Sequence, residues 1–389
     1  MKQQRVWLAV RLTMAELAHG GSGWIIGVLL HDFQLGGTER VAIRLANAWS
    51  RMGVRVILFA GGGGLQRELV ADSVEVVIAR PPTPRNLLNS TVKLGRWLAV
   101  LPEAECVDAF FLPGNSYFRA IAPLAAGGVP IYTTITNPLW RSDRSLWRNL
   151  LFTALTRLRL RKAAGVISTS PALMRRERQL LGKQRVSVAL PNALFEGELE
   201  SAAVARQQWH VCGVGRLVPQ KNFALLLQSI ALLQDLPVTL SIVGDGPELG
   251  GLRRLANALG IADRVRFPGA VANASMWLAT AEVMVLTSVY EGYPAVAVEA
   301  LAMGTFVVTG NCSPAMADIL SNPALGVIVR ENTAADFAHA LRQYFNGKER
   351  FADARRRQAT RALVQSHCAA RAARHYLDFM DLDRPVSHV

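Results

Sequence analysis

The chain has 389 residues, 51% hydrophobic and 19% charged, enough for two domains with separate cores. Its formal charge of +14 calls for an anionic partner: nucleic acid, a phosphorylated small molecule or an acidic membrane. Four scattered cysteines, Cys106, Cys212, Cys312 and Cys368, form no CxxC pair, which excludes a disulfide scaffold or a cysteine-based zinc site and fits reduced thiols in a cytoplasmic setting.

The first 24 residues, MKQQRVWLAVRLTMAELAHGGSGW, read as an N-terminal extension. Their apolar patch is broken by Arg11 and Glu16, unlike the core of a secretory signal. No run reaches the 18 or so apolar residues that span a bilayer. GVLLH, from Gly27, reads as a buried strand, DFQLGGTE as a glycine-rich turn, RVAIRLANAWSRMG as a helix and VRVILFA as the next strand. That is a βαβ unit. VEVVIA, CVDAFFLPG, VPIYTTIT, AAGVISTS and RVSVALPN continue the strand series, with Pro171 opening a helix. The first domain is placed at 25–195. After a polar connection, HVCGV, VTLSIVG, VRFPG, AEVMVLTS and TFVVTG form a second series, placing the second domain at 196–375. The chain end is helical in pattern, and 376–389 reads as a loose tail. Two such α/β units bind ligands at the C-terminal edges of their strands, across a cleft.

Four motifs carry candidate chemistry. In GGTE, Gly36 and Gly37 allow a ligand close to the backbone and to free helix N-terminal amides; a tight turn with Glu39 as a cap is the other reading. In GRLVPQKN, Arg216 and Lys221 are placed to hold a diphosphate and neutralise charge growing on it, unless the loop is merely basic and solvated. In IVGDGPE, Asp245 is read as structural, bonding to its own backbone. The fourth, LTSVYEGYPAVAVEALAMG, sets Glu291 in a loop and Glu299 eight residues on, inside an otherwise apolar helix. A buried carboxylate needs a partner, and a ribose diol offers two donors. The loop backbone of Gly292, Tyr293, Pro294 and Ala295 is in range of a sugar or phosphate. A capping Glu291 and a surface Glu299 are the plain alternative. There is no GxxxxGK[ST] loop, HExxH, GxSxG or DxD run, so no metal or cofactor is expected.

Residues 141–185 hold twelve Arg or Lys against Asp143 and Glu177. Trp140, Arg141, Arg144, Trp147, Arg148, Arg157 and Arg159 mix with leucines there. Such a helix suits a membrane interface or a lipid diphosphate. A core-packed helix with a cationic outer face is the other reading; no nucleic-acid recognition motif is present.

The order GGTERV, VGRLVPQKNF, IVGDGPE, VRFPG and LTSVYEGYPAVAVEALAMGTFVVTG, over about 27–375, resembles the retaining GT-B glycosyltransferases of the glycogen-synthase-like, mannosyltransferase-containing family (glycosyltransferase family 4, or group 1). The resemblance implies an α/β fold of two Rossmann-like domains facing a cleft, with C-terminal helices crossing back to the first. It implies donor contacts by Gly36, Gly37, Arg216, Lys221, Glu291, Gly292, Tyr293, Pro294, Ala295 and Glu299. Arg216, Lys221 and Glu291 would be catalytic, with Glu291 facing the transferred sugar and Glu299 the ribose. The co-substrate would be a UDP- or GDP-linked hexose, mannose among the candidates, without metal. The acceptor would be a glycan or polyprenyl-diphosphate-linked glycan at the inner face of the cytoplasmic membrane, in exopolysaccharide or surface-glycan synthesis, with no nucleic acid involved. Two departures stand out: Thr136 occupies a position where many relatives carry histidine, and Asp318 in NCSPAMAD stands near an expected glutamate. A non-catalytic sugar-nucleotide binder and a nucleotide-sugar epimerase therefore stay open; binding without turnover marks the first, conversion without acceptor the second.

Overall fold

The computed structural model describes residues 23–34, 36–83, 90–141, 143–182, 186–197, 205–271, 273–347 and 354–382, with only the backbone of 354–357. Expectations for residues 1–22 and for 383–389 fall outside the described residues.

The first sheet contains β1 (Ile25–Leu30), β2 (Arg55–Ala60), β3 (Glu75–Ile78), β4 (Ala109–Leu112), β5 (Ile131–Ile135), β6 (Gly165–Ser168) and β7 (Val188–Ala189), ordered 3-2-1-4-5-6-7. The second contains β8 (His210–Val214), β9 (Thr239–Val243), β10 (Val265–Gly269), β11 (Val283–Leu286), β12 (Phe306–Thr309) and β13 (Gly326–Ile328), ordered 10-9-8-11-12-13. All these pairings are parallel. Parallel sheets are covered on both faces, which is why IIGVLL, AFFL, VMVL and FVVT are continuous apolar runs rather than alternating ones. In each sheet the order reverses beside the first strand, β1 or β8, and the loops after the strands there open on the cleft.

Among the described residues ten α-helices have eight residues or more: α1 (Gly37–Arg51), α2 (Ser90–Leu98), α3 (Leu146–Arg159), α4 (Pro171–Leu181), α5 (Phe223–Ala231), α6 (Leu249–Ala258), α7 (Ala295–Ala302), α8 (Ala334–Gly347), α9 (Ala354–Ser366) and α10 (Ala369–Met380). In α4, Pro171 fills the first turn and the Ser170 hydroxyl accepts from Leu173 N at 3.2 Å, a side-chain cap on an otherwise orphan amide. In α7, Pro294 precedes the helix and the body is nearly all apolar, so it is buried around most of its circumference.

The chain crosses twice between the two units. The amides of Leu194 and Phe195 donate to the His367 carbonyl at 2.9 and 3.2 Å, and Ala369 N donates to Phe195 O at 2.6 Å. After this crossing α10 lies on α1. Trp49 Nε1 donates to Ala373 O at 3.0 Å, and the Trp49 and Tyr376 rings both meet Phe111 edge-on at 5.5 Å. This corrects the placement of 376–382 in a loose tail and of the segment from Ala369 to His375 in the second domain. Ala369, Ala372, Ala373, Tyr376, Leu377 and Met380 recur at helical spacing and belong to the first unit's core.

Candidate active site

The C-terminal edge of the second sheet gathers the motif residues. Lys221 ends a 3-10 turn, Pro219–Lys221, after β8, and Glu291 lies in the loop after β11. Lys221 Nζ donates to Glu291 Oε1 at 2.6 Å, and Ser288 Oγ donates to the same oxygen at 2.6 Å. Both charged side chains are largely buried, at 18% and 11% exposure. A pair so desolvated is held by geometry, and removing one partner strands the other charge. The surrounding bonds fix that geometry. Val289 N donates to Gln220 O at 2.8 Å, Gln220 Nε2 to Tyr290 O at 3.0 Å, Thr287 Oγ1 to Lys221 O at 3.1 Å and Glu291 N to Cys312 O at 2.8 Å. Glu291 is thus held by Lys221 and Ser288 rather than standing free. Arg216, on the same loop as Lys221, is exposed. Asp245 turns onto its own loop, accepting from Gly246 N at 2.8 Å, in the structural role its motif predicts.

Gly292 touches the other unit. A Cβ there would fall 1.7 Å from Thr136 O, so only glycine allows this approach. Thr136 is set by Asn115: its amide and that of Asn137 donate to Asn115 Oδ1 at 2.7 and 3.1 Å, and Asn115 Nδ2 donates to Asn137 O at 2.9 Å. A Cβ on Gly114 would lie 2.5 Å from Thr136 Oγ1 and 3.4 Å from the Thr38 methyl. Thr136 therefore joins the GGTE turn to the EGYP loop. Gly36 precedes α1 in extended backbone, with the Glu39 carboxylate folded over its α-carbon, and Gly37 has open space where a side chain would be.

Glu299 stands on α7, one turn past the loop. Burial raises its pKa, while Arg40 and Arg44 of α1 act in the opposite direction. Arg44 is itself depressed by burial and by Arg40, with Glu299 offsetting part of that. This carboxylate and these two guanidiniums of GGTERVAIR thus face each other across the cleft. Tyr293 turns away from the cleft. Its hydroxyl hydrogen-bonds His367 Nε2 at the crossover. Burial lowers the His367 pKa, so the imidazole is neutral there near pH 7. Pro294 and Ala295 lead into α7, where Ala295 N donates to Tyr293 O and Ala297 N to Pro294 O, both at 2.9 Å.

The basic segment divides. On α3, Leu146, Trp147, Leu150, Leu151, Leu155 and Leu158 are 39–65% exposed, and Arg148 and Arg157 stand exposed among them. Trp140, Arg144 and Arg159 are half-buried, and Arg144 stacks on Phe152. Arg141 departs from the expected surface. Its guanidinium lies 3.8 Å over the Tyr290 ring, and its Nε donates to Asp143 at 2.8 Å. It belongs to the cleft because a cation seeks the ring face next to Glu291. Asp318 also has another role than the one its position suggests: it accepts from Ala172 N, in the first turn of α4, at 2.8 Å. Sequence reasoning does not reach Ser288, Tyr290, Asn115, Arg40, Arg44 or His367. Only the two arginines, one turn apart behind GGTE, leave a signal.

Among the described residues no group of three or more His, Cys, Asp or Glu is arranged to hold a metal ion. No helix among them is long and apolar enough to cross a membrane.

Residues 36–193 match the family model described as Glycosyl transferase 4-like domain, and residues 198–362 match Glycosyl transferases group 1. The chain is a GT-B glycosyltransferase of these families. This glycosyltransferase is 26% identical over 328 residues to an uncharacterized glycosyltransferase of Haemophilus influenzae, covering 81% of the chain and 88% of that protein. It is 27% identical over 317 residues to the lipopolysaccharide core biosynthesis glycosyltransferase LpsE of Rhizobium meliloti, covering 79% and 85%. Its fold matches the crystal structure of Anabaena HepE in complex with UDP-glucose, with a TM-score of 0.74 at 19% identity, over 92% of this chain and 99% of the other. The glycosyltransferase uses a nucleotide sugar as co-substrate in glycan assembly.

Proposed function

We propose that the enzyme moves a hexose, with retention at the anomeric carbon, from a UDP- or GDP-sugar to a polyprenyl-diphosphate-linked glycan at the inner face of the cytoplasmic membrane. The observation that carries the donor half is the buried Lys221–Glu291 pair at the sheet edge, one loop from Glu299. In this reading the donor diphosphate lies by Lys221 and Arg216, with the loop backbone of Gly292 to Ala295 and the α1 turn at Gly36 and Gly37 around it. Glu291 orients Lys221 and borders the sugar. Glu299 accepts from the ribose hydroxyls, and Arg40 and Arg44 oppose the effect of burial on its carboxyl.

As the bond from the anomeric carbon to the diphosphate oxygen breaks, negative charge grows on that oxygen. Lys221 and Arg216 stabilise it, which is where preorganised charge lowers a barrier. The acceptor hydroxyl forms the new bond on the same face, and its proton passes to the departing diphosphate oxygen. No protein nucleophile is needed. Thr136 fills the histidine position of many relatives; its carbonyl, pressed against Gly292, shapes the sugar side of the cleft. The UDP-glucose bound in the HepE complex favours a uridine donor.

The acceptor half rests on α3. A stripe of leucine and tryptophan exposed at helical spacing, flanked by arginines, fits an anionic membrane interface. The test is a panel of UDP- and GDP-sugars incubated with the purified enzyme, with and without bacterial membrane lipid extract. The reading expects nucleotide release from one donor, dependent on lipid, with sugar recovered in the lipid fraction. Sugar conversion without lipid, or an inverted linkage, would contradict it.

A further inference from the structure

Away from the donor residues, α2, the segment after β4 and the end of α3 line an open cavity of ≈ 500 Å³. Val92, Phe118 and Pro123 supply apolar wall, and Arg96, Arg119 and Arg159 supply three guanidiniums; among the described residues the lining includes no carboxylate. The arginines come from three different elements. Arg96 and Arg159 each lie in the last turn of a helix, where the C-terminal end of the dipole steadies a cation. Arg119 follows the 3-10 turn Asn115–Tyr117 and sits in the last turn of neither helix. Burial and the neighbouring charge of Arg119 both depress the Arg159 pKa. Guanidinium forks match phosphate oxygens in pairs.

The position adds a second observation. Arg159 ends the same helix that exposes Leu155 one turn earlier and Leu158 immediately before it. A phosphate held in the cavity therefore sits next to the apolar stripe, as a headgroup sits next to acyl chains. We propose that this cavity is a phosphate- or diphosphate-binding site distinct from the donor site. The phosphate chemistry stands on the cavity alone. Its source, a lipid headgroup or a soluble phosphate, is a separate matter, and the lipid source rests on the membrane reading above.

Calorimetric titration with inorganic pyrophosphate tests the site in a background that removes the donor cations, Arg216→Ala with Lys221→Ala. Binding is expected to persist there and to weaken at least tenfold when Arg96→Gln, Arg119→Gln and Arg159→Gln are added. Absence of pyrophosphate binding in the donor-site background overturns the proposal, as does equal binding by the glutamine variant. Arg119→Gln alone, and the triple change to lysine, which keeps the charge, guard against a folding defect; both should give intermediate affinity. Sedimentation with phosphatidylcholine vesicles, with and without phosphatidylglycerol, then identifies the source. A lipid source predicts that the glutamine variant loses at least tenfold of its preference for anionic vesicles, since each surface cation contributes roughly 1 kcal/mol of attraction. Unchanged vesicle binding with lost pyrophosphate binding keeps the site and assigns it to a soluble phosphate. No vesicle binding at all, with pyrophosphate still bound, removes the membrane reading and leaves the site.

Discussion

Lys221 and Glu291 are each other's main partner in a desolvated loop. If Lys221 neutralises the leaving diphosphate, Lys221→Ala should lower kcat/KM by about 10²–10³-fold, the usual cost of losing one such contact. It should also lower the melting temperature, because Glu291 is left buried and charged. Adding Glu291→Gln to that variant should restore much of the melting temperature and none of the activity. Parallel unfolding and nucleotide-release assays separate the two effects. A second residue-scale prediction concerns Glu177 on α4, which lies outside the cleft chemistry. Burial pushes its pKa up to about 8. A carboxyl whose folded pKa is raised stabilises the fold most below its unfolded pKa and loses that contribution as pH rises toward the folded value. The melting temperature should therefore fall between about pH 5 and pH 8. Glu177→Gln, which cannot ionise, should flatten that slope in a thermal-shift series; an equal slope would show that other groups set it.

Among the elements, most strands and the helices after GGTE and EGYP are legible in the sequence, because buried parallel strands are unbroken apolar runs and α1 shows helical periodicity. β13 leaves no such signal, since Gly326–Ile328 is only three residues long, below the length at which a run is informative. The last helix is legible in principle. Its apolar spacing from Ala369 to Met380 is regular, but its partner, Trp49, is more than three hundred residues away. The candidate donor residues are readable because they lie in short contiguous motifs. Arg141 over Tyr290, Asn115 under Thr136 and His367 beside Tyr293 are not, because each pair is joined only by the fold. Helix α3 gives the prediction at this scale. Its leucines are exposed, so Leu150→Ser with Leu155→Ser should leave the melting temperature nearly unchanged while reducing sedimentation with anionic vesicles several-fold. A large drop in melting temperature would instead mark that face as part of the core.

The whole molecule is held with its two units in contact. Gly292 meets Thr136, Arg141 covers Tyr290, and Asp318 reaches Ala172. Val41 of α1 and Leu173 of α4 pack against the apolar cluster of the second unit. Closure of this kind assembles a site from both sides and excludes water. A methyl group at residue 292 cannot coexist with the Thr136 carbonyl at 1.7 Å. Gly292→Ala should therefore hold the units apart, raising the radius of gyration in small-angle scattering and suppressing turnover. Each unit's own core is untouched, so the melting temperature should change little. The crossover at His367 is where such opening must pivot, since both chain crossings and the Tyr293 contact meet there.

The central claim is that Lys221 and Glu299 hold two ends of one nucleotide sugar. The most direct measurement is calorimetric titration of the donor selected by the sugar panel into the wild-type enzyme, Lys221→Ala and Glu299→Gln. The account predicts one binding site per chain and at least tenfold weaker binding in each variant, with Glu299→Gln also losing discrimination between the nucleotide and its 2′-deoxy analogue. Wild-type affinity in both variants would contradict it, and would move the donor away from the C-terminal edge of the second sheet.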